Sequence, residues 1–417
     1  MTLLLRLFLV ASVLFLGSAD AGLAQLAVRG ETVYTMAGPP IKDGVVLIRG
    51  GKIDRVGRAS EILGQTERFR VLTAKVVTPG LIDAHTVVGF TGYLNQKQDQ
   101  DQLERSEPIQ PELRAIDGYN PQERLIEWVR GFGITTIHTG HAPGELISGQ
   151  TMIAKTTGRT TEDAVIVPTA MIAATLGDGA TKRDKKSPGT RSKAVAMLRA
   201  QLIKAREYLK KQETTTEAED HEDPKKGKPD RNLRLEALGH VLKGEWPLMV
   251  TVHRAHDIAT TLRIAKEFKI KLVLDGAAEA YLVLDKIKAA GVPVIVHPTM
   301  MRSGHGQTEN ASMETAAKLH AAGIPIAMQS GYESYVPKTR IVLFETAVAA
   351  ANGLPFEDAL AACTINAATL LGISDRVGTL ELGKDADIAL YDGDPFEYTT
   401  HCIGVVINGE IVSNEPR

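Results

Sequence analysis

Residues 76–89 read VVTPGLIDAHTVVG, an apolar run that ends at Asp83-Ala84-His85 and is punctuated near its start by Pro79 and Gly80. A short apolar run bounded by turn residues is typical of a buried strand. Residues two apart on a strand lie on the same face, so His85 and Val87 share one. We therefore predict a buried strand whose carboxyl end presents His85 to a site.

Apolar runs alternate with helical patterns through the middle of the chain, which predicts a parallel sheet with crossover helices. A helix is predicted over Lys193–Lys211, where apolar residues recur every three or four positions. Residues 212–231 carry many charges and several breakers, so we predict a mobile loop there. The predicted strands are Leu81–His85, Ile134–His138, Thr151–Lys155, Val165–Pro168, Leu248–His253, Lys271–Asp275, Pro293–His297 and Pro325–Ser330.

The sequence patterns at both ends of the chain predict β-strands. Alternating segments flank Gly50-Gly51 near the start and Asn408-Gly409 near the end, and both dipeptides suit a tight hairpin turn. The chain has 417 residues, enough for a (β/α)₈ barrel of about 250 residues and a smaller domain.

The first 24 residues differ from the rest, with Arg6 preceding the apolar run Leu7–Leu16 and small residues after it. This layout predicts a signal peptide over residues 1–24 and a periplasmic or secreted protein, with no membrane span after cleavage. A net charge of −2 gives no electrostatic reason to expect a nucleic-acid partner. The two cysteines, Cys363 and Cys402, form no metal or redox motif, and their pairing stays open.

Several separated segments together resemble the amidohydrolase superfamily, and in particular the imidazolonepropionase-like bacterial amidohydrolases. They are PGLIDAH (79–85), PELRAIDGYNP (111–121), ISGQTMIAKTTG (147–158), HRAHDI (253–258) and GKDAD (383–387). The resemblance implies a TIM-like (β/α)₈ barrel over residues 79–372 and a small β-sandwich built from residues 25–78 and 373–417. It also implies metal-dependent hydrolysis of carbon–nitrogen bonds in cyclic amides, amidines or small peptides.

The family's metal ligands are largely replaced in this chain. The family reads HxH on strand one, where this chain keeps His85 but has Val87 in place of the second histidine. Strand four has no lysine near its end. The ligand positions of strands five, six and eight fall on Thr251, Gly276 and Gly331. Because catalytic zinc needs at least three protein ligands, we expect no metal at the standard site.

Other histidines leave three alternatives open. His138, His253 and His297 each end a predicted strand and are the candidate catalytic residues, together with Asp275. With His85 they could form a relocated site for zinc or another divalent metal, a metal-free acid–base site, or a polar pocket without catalysis. The family's ligand position on this strand falls on Gly276. Neighbouring residues of a strand face opposite sides, so we expect the Asp275 side chain to point away from the mouth.

Three further residues are candidates for substrate binding: His141, Lys155 and His305. Lys155 is expected at the rim, where it could pair with Glu145 or a substrate carboxylate. The predicted partner is a small molecule in the barrel mouth. Two functions follow: an exported hydrolase with a degenerate or relocated metal site, or a non-catalytic binding module. A homodimer, or pairing with an intact amidohydrolase, is also predicted.

Overall fold

The structure is a computed structural model that describes residues 25–62, 64, 69–182, 186–219, 230–301, 306–332 and 340–417. The signal peptide predicted for residues 1–24 lies outside these ranges. The strands are β1 (Leu26–Val33), β2 (Ile41–Arg49), β3 (Lys52–Arg58), β4 (Arg70–Pro79), β5 (Leu81–Thr86), β6 (Ile134–Gly140), β7 (Ile147–Lys155), β8 (Val165–Val167), β9 (Ile172–Thr175), β10 (Leu248–Val252), β11 (Leu272–Gly276), β12 (Val294–Val296), β13 (Ile326–Ala327), β14 (Ile388–Tyr391), β15 (Cys402–Ile407) and β16 (Glu410–Ser413). The α-helices are α1 (Ala59–Ile62), α2 (Arg124–Arg130), α3 (Thr161–Ala164), α4 (Arg191–Glu219), α5 (Leu233–Leu242), α6 (Ala255–Phe268), α7 (Leu284–Ala290), α8 (Thr315–Ala321), α9 (Val342–Ala351), α10 (Phe356–Ala362) and α11 (Ile365–Leu370).

Eight strands form a nearly closed barrel in the order β5-β6-β7-β9-β10-β11-β12-β13. β7 runs antiparallel to both of its neighbours, and the other adjacent pairs run parallel. The ring closes where the Ala84 amide donates to the Met328 carbonyl (3.0 Å) and Thr86 bridges to Gly331. The predicted barrel is confirmed. β8 lies off the ring against β7, and β9 supplies the barrel strand in that part of the chain.

The two ends of the chain build a separate seven-stranded sheet in the order β16-β15-β14-β4-β1-β2-β3. β4 leads directly into β5, so residues 76–89 pass from this sheet into the barrel. Pro79 ends β4, and Gly80 follows where a Cβ atom would lie 2.2 Å from the Thr135 hydroxyl oxygen. Glycine is therefore required at this junction because the backbone passes too close to β6 for any side chain.

The predicted amphipathic helix is observed as α4, and Leu198, Leu202 and Ala205 on its apolar face are fully buried. α4 continues to Glu219, so the first part of the loop predicted over 212–231 is helical, and residues 220–229 lie outside the described ranges. Cys363 and Cys402 are both buried and free. In the part of the chain that is described, no helix is long and apolar enough to cross a membrane.

Candidate functional site

The side chains that face the barrel interior change from apolar to polar over two residues along the strands. Met249, Val273, Ile295 and Ala327 belong to one buried apolar cluster that fills the barrel. Side chains on a strand return to the same face every second residue, so the next interior positions are two residues further on. These positions are polar, and we call them the polar layer: Thr251, Asp275, His297 and Gln329.

Asp275 lies at the centre of this polar layer and is fully buried. Its Oδ1 is 2.9 Å from Nδ1 of His85 and accepts a hydrogen bond from Nε2 of Gln329 (2.8 Å). Its Oδ2 accepts from the Thr251 hydroxyl at 2.5 Å. Burial by itself raises the pKa of this carboxyl, but the charge of His85 and the three hydrogen bonds outweigh burial and hold the pKa below its usual value.

The expectation that Asp275 points away from the mouth is wrong. Asp275 pairs in register with Thr251 on β10, and both side chains face the barrel interior. The expected alternation does not hold because Val273 packs inside the barrel, so Asp275, two residues later, faces the interior as well. His85 reaches Asp275 from β5, whose register shifts between Asp83 and Thr86.

His138 is buried beside this network, with its ring centroid 6.0 Å from that of His85. Its Nδ1 is 2.6 Å from the Ala84 carbonyl and its Nε2 is 2.7 Å from the Thr151 hydroxyl. Burial lowers the pKa of His138 to about 4, and the nearby His85 acts in the same direction. Because both ring nitrogens are bonded within the protein, His138 connects strands and has no nitrogen left for a metal.

His253 directly follows β10 and lies two residues after Thr251, towards the barrel mouth. Its ring occupies the space beside Gly276, where an added Cβ atom would lie 2.6 Å from Cε1 of His253. Nε2 of His253 is 3.4 Å from the Tyr332 hydroxyl. Burial lowers the pKa of His253 to about 4. A histidine in place of Gly276 would therefore need an unfavourable backbone conformation and the volume that His253 already fills.

His297 lies in the polar layer at the end of β12 and is 1% exposed. Its Nδ1 is 2.9 Å from the carbonyl oxygen of Pro298, the next residue. Burial lowers the pKa of His297 below its usual value. The backbone of Pro298 and Ser312 acts in the opposite direction, but burial outweighs both and favours the neutral ring.

The described residues do not fit the metal centre that the resemblance implies. Val87 is fully buried and has no donor atom, and the Thr251 hydroxyl is bonded to Asp275. Gly276 and Gly331 lack side chains, and each has a positive φ. Across the described ranges, no three His, Cys, Asp or Glu side chains are placed to hold a metal ion. In these ranges His85, His138, His253 and His297 are not grouped as a metal site, and the relocated site stays a prediction.

The three candidates for substrate binding have separate outcomes. Lys155 is not at the rim: it lies opposite Thr136 near the start of β6, where it is 1% exposed and pairs with Asp385 (3.1 Å) and Asp387. β7 is antiparallel, so its last residue lies at the end of the barrel away from the mouth. His305 lies outside the described ranges.

His141 follows β6 at the mouth end of the barrel and is 7% exposed. Its ring packs 6.1 Å from that of Phe90 and covers Gly149, where a Cβ atom would meet it at 2.3 Å. Burial lowers its pKa to about 4. Glu145, the suggested partner of Lys155, pairs instead with Lys182.

Two carboxyl groups near the mouth were not among the sequence-based candidates. Asp83 accepts hydrogen bonds from the Ser330 amide (3.0 Å) and hydroxyl (2.5 Å), and burial raises its pKa to about 6. Glu345 on α9 accepts from the Thr299 hydroxyl and the Met300 amide, both at 2.8 Å, and burial raises its pKa to about 7. The signal for Asp83 was its place in the PGLIDAH motif, whereas Glu345 lies in an ordinary helical pattern.

Comparisons with known proteins agree with the fold. The amidohydrolase family model matches residues 76–412. An amidohydrolase crystal structure from Thermotoga maritima MSB8 has a TM-score of 0.86 and 28% identity, covering 94% of this chain and 100% of that one. The imidazolonepropionase of Sphingopyxis alaskensis is 25% identical over 87% of this chain and 91% of its own length. The amidohydrolase tasK of Hapsidospora irregularis is 24% identical over 89% of this chain, which spans only 40% of that protein.

A zinc-bound adenosine deaminase from Xanthomonas campestris, with a TM-score of 0.52 and 14% identity, is similar in fold alone. The family match covers most of the chain and includes every strand of the barrel. The chain therefore belongs to the amidohydrolase family.

Proposed function

We propose that this protein binds a small polar molecule at its barrel mouth without the metal centre associated with its family. One observation carries the proposal: the Asp275 carboxylate is bonded to Thr251, Gln329 and His85 within the protein. A carboxylate that served as a metal ligand would keep an oxygen for the ion. The same network leaves polar atoms facing the mouth, which is the usual site in barrels of this kind.

Metal content per chain tests this proposal directly. The mature protein would be purified without a histidine tag, offered Zn²⁺ and Mn²⁺, desalted, and subjected to elemental analysis. An imidazolonepropionase treated in the same way serves as the positive control. We expect far less than one metal ion per chain. Near-stoichiometric retained metal that is lost in the His85→Ala variant would overturn the proposal.

Hydrolysis without a metal is the second candidate, because Asp275 orients His85. A carboxylate bonded to Nδ1 of a histidine fixes the ring, so that Nε2 faces the opposite side and can act as a general base. The names of the relatives suggest carbon–nitrogen bonds in cyclic amides as the substrates. Turnover of a lactam, amide and amidine panel in the presence of a chelator, lost in His85→Gln, would support hydrolysis. No turnover across the panel leaves ligand binding as the function.

We also propose that the protein is exported, on the strength of the signal-like pattern of residues 1–24. Expression in a bacterium with a carboxyl-terminal tag, followed by cell fractionation and mass measurement, tests this. We expect a periplasmic product shortened by about two dozen residues. A full-length product retained in the cytoplasm would contradict export.

A further inference from the structure

Among the residues that the structure describes, the buried polar atoms at the barrel mouth without a hydrogen-bond partner include Nε2 of His297, Oε1 of Gln329 and Nδ1 of His253. His297 and Gln329 belong to the polar layer, and His253 stands one step above it. A buried polar atom without a partner costs about 1–3 kcal/mol. Such atoms are rare in folded proteins, and their grouping at one end of the barrel points to a missing ligand.

The hydrogen bonds made by the other polar atoms of these side chains determine whether the unpartnered atoms are donors or acceptors. Nδ1 of His297 is 2.9 Å from the Pro298 carbonyl, which can only accept, so the ring proton is assigned to Nδ1. Nε2 of the neutral ring is then an acceptor. The Gln329 amide donates through Nε2 to Asp275 (2.8 Å), so its unpartnered Oε1 is an acceptor as well. Both atoms therefore require a donor.

One carboxylate, Asp275, lies beside these acceptors. It belongs to the same polar layer as His297 and Gln329, and its Oδ1 is bonded to both His85 and Gln329. The arginine adjacent to the site in sequence, Arg254, is paired with Asp178 and Glu309 (3.4 and 3.7 Å). A ligand carrying positive charge is favoured by Asp275, whereas an anion would meet acceptors and a carboxylate.

We infer that the barrel mouth binds a nitrogen cation rich in N–H donors, such as an amidinium, guanidinium or primary ammonium group, and discriminates against carboxylates. The inference rests on the proposed function, because a metal ion held in the mouth would take the same acceptors. It adds the chemical class of the ligand, which neither the fold nor the family determines.

Three fragments of the same shape test the inference: acetamidinium, acetamide and acetate. Their heavy-atom skeletons match, so differences in affinity report charge and donor count. Each would be titrated into the full mature protein while the histidine ring resonances are followed by NMR. We expect acetamidinium to bind about tenfold more tightly than acetate, with acetamide between them.

Variants then assign the preference to particular atoms. His297→Leu and Gln329→Leu each remove one acceptor and should reduce the acetamidinium preference severalfold. His297→Gln keeps an acceptor and should restore part of it. His320→Ala, which removes an exposed histidine paired with Asp358, is the control. Thermal unfolding of every variant shows whether a loss of binding reflects a loss of fold.

The metal-content measurement and the fragment titration distinguish failure of the proposed function from failure of this inference. Equal affinity for the three fragments, tighter binding of acetate, or no measurable binding of any fragment would overturn the inference while metal content stays low. An unchanged preference in both His297→Leu and Gln329→Leu would also overturn it. Retention of metal would instead contradict the proposed function, whatever the fragment titrations show.

Discussion

Two buried carboxylates, Asp387 at the amino-terminal end of the barrel and Asp275 at its mouth, have different kinds of partner. Asp387 pairs with the ammonium group of Lys155 and accepts from the Asn408 amide at 3.0 Å, joining the barrel to the terminal sheet. Asp275 is also buried, but Gln329, which donates to it, has an Oε1 atom without a hydrogen-bond partner among the residues that the structure describes.

The difference separates a structural cluster from a binding cluster. Around Lys155, the second carboxylate, Asp385, also accepts from Lys52 and Arg376, so opposite charges face each other directly. Around Asp275 the donors are a histidine, a hydroxyl and an amide, and the Oε1 acceptor of Gln329 has no partner among the described residues. A cluster that serves only stability has no reason to retain such atoms, because each one lowers the stability of the fold.

The largest effect is expected from Lys155→Met. The change leaves Asp387 buried without its counter-charge, which should cost about 3–5 kcal/mol of unfolding free energy. Lys52→Met is the matched control: this lysine also pairs with Asp385, but its side chain is half exposed, and its loss should cost at most about 1 kcal/mol. Urea denaturation measures both. Equal losses would mean that the buried contact has no special role.

Glu345→Gln should change the pH dependence of stability. Burial raises the pKa of Glu345 to about 7, and its Oε1 has no hydrogen-bond partner in the part of the chain that the structure describes. A carboxyl with a raised pKa contributes stability below its unfolded pKa, about 4.3, and this contribution is lost as the pH rises through about 7. The glutamine cannot ionise, so the variant should gain up to about 3 kcal/mol relative to the parent between about pH 5 and pH 8.

Denaturation curves at several pH values measure this gain, and Glu162→Gln on the exposed start of α3 provides the control. A constant difference between the Glu345→Gln variant and the parent over this range would contradict the assigned titration.

Asp275→Asn should have a smaller effect than Lys155→Met. The substitution keeps the shape of the side chain but removes the charge that His85, Thr251 and Gln329 share, at a cost of about 2 kcal/mol near neutral pH. The variant should also lose the preference for acetamidinium over acetate. Thermal unfolding and the fragment titration measure the two effects. A stability loss as large as that of Lys155→Met would show that the mouth network is mainly structural.

The smallest effect is expected from Gly276→Ala, compared with Gly291→Ala. Both glycines have a positive φ, which costs an alanine about 1–2 kcal/mol. A Cβ at Gly276 also meets His253 at 2.6 Å, whereas the space around Gly291 is open. The excess destabilisation of Gly276→Ala therefore measures how firmly His253 is held. No excess would mean that the His253 ring moves freely.

The barrel could be predicted because its signals are local. Apolar runs, helical spacing and the PGLIDAH motif each lie within a few residues, and the structure confirms the barrel that they imply. The residues Val87, Thr251, Gly276 and Gly331, at the positions where the resemblance predicts metal ligands, could also be read in order along the chain. Lys155 was misplaced because the reversal of β7, which carries it to the far end of the barrel, depends on pairing with strands distant in sequence.

The amino-acid sequence by itself determined the family and the barrel, because these depend on residue type and spacing along the chain. Only the tertiary structure decided which side chains meet at the barrel mouth. Asp275 faces inward because it lies two residues after Val273, which packs inside the barrel, and His138 is bonded to Ala84 and Thr151 on neighbouring strands. Hydrogen-bond partners are chosen by distances across the barrel, and those distances exist only once the ring has closed.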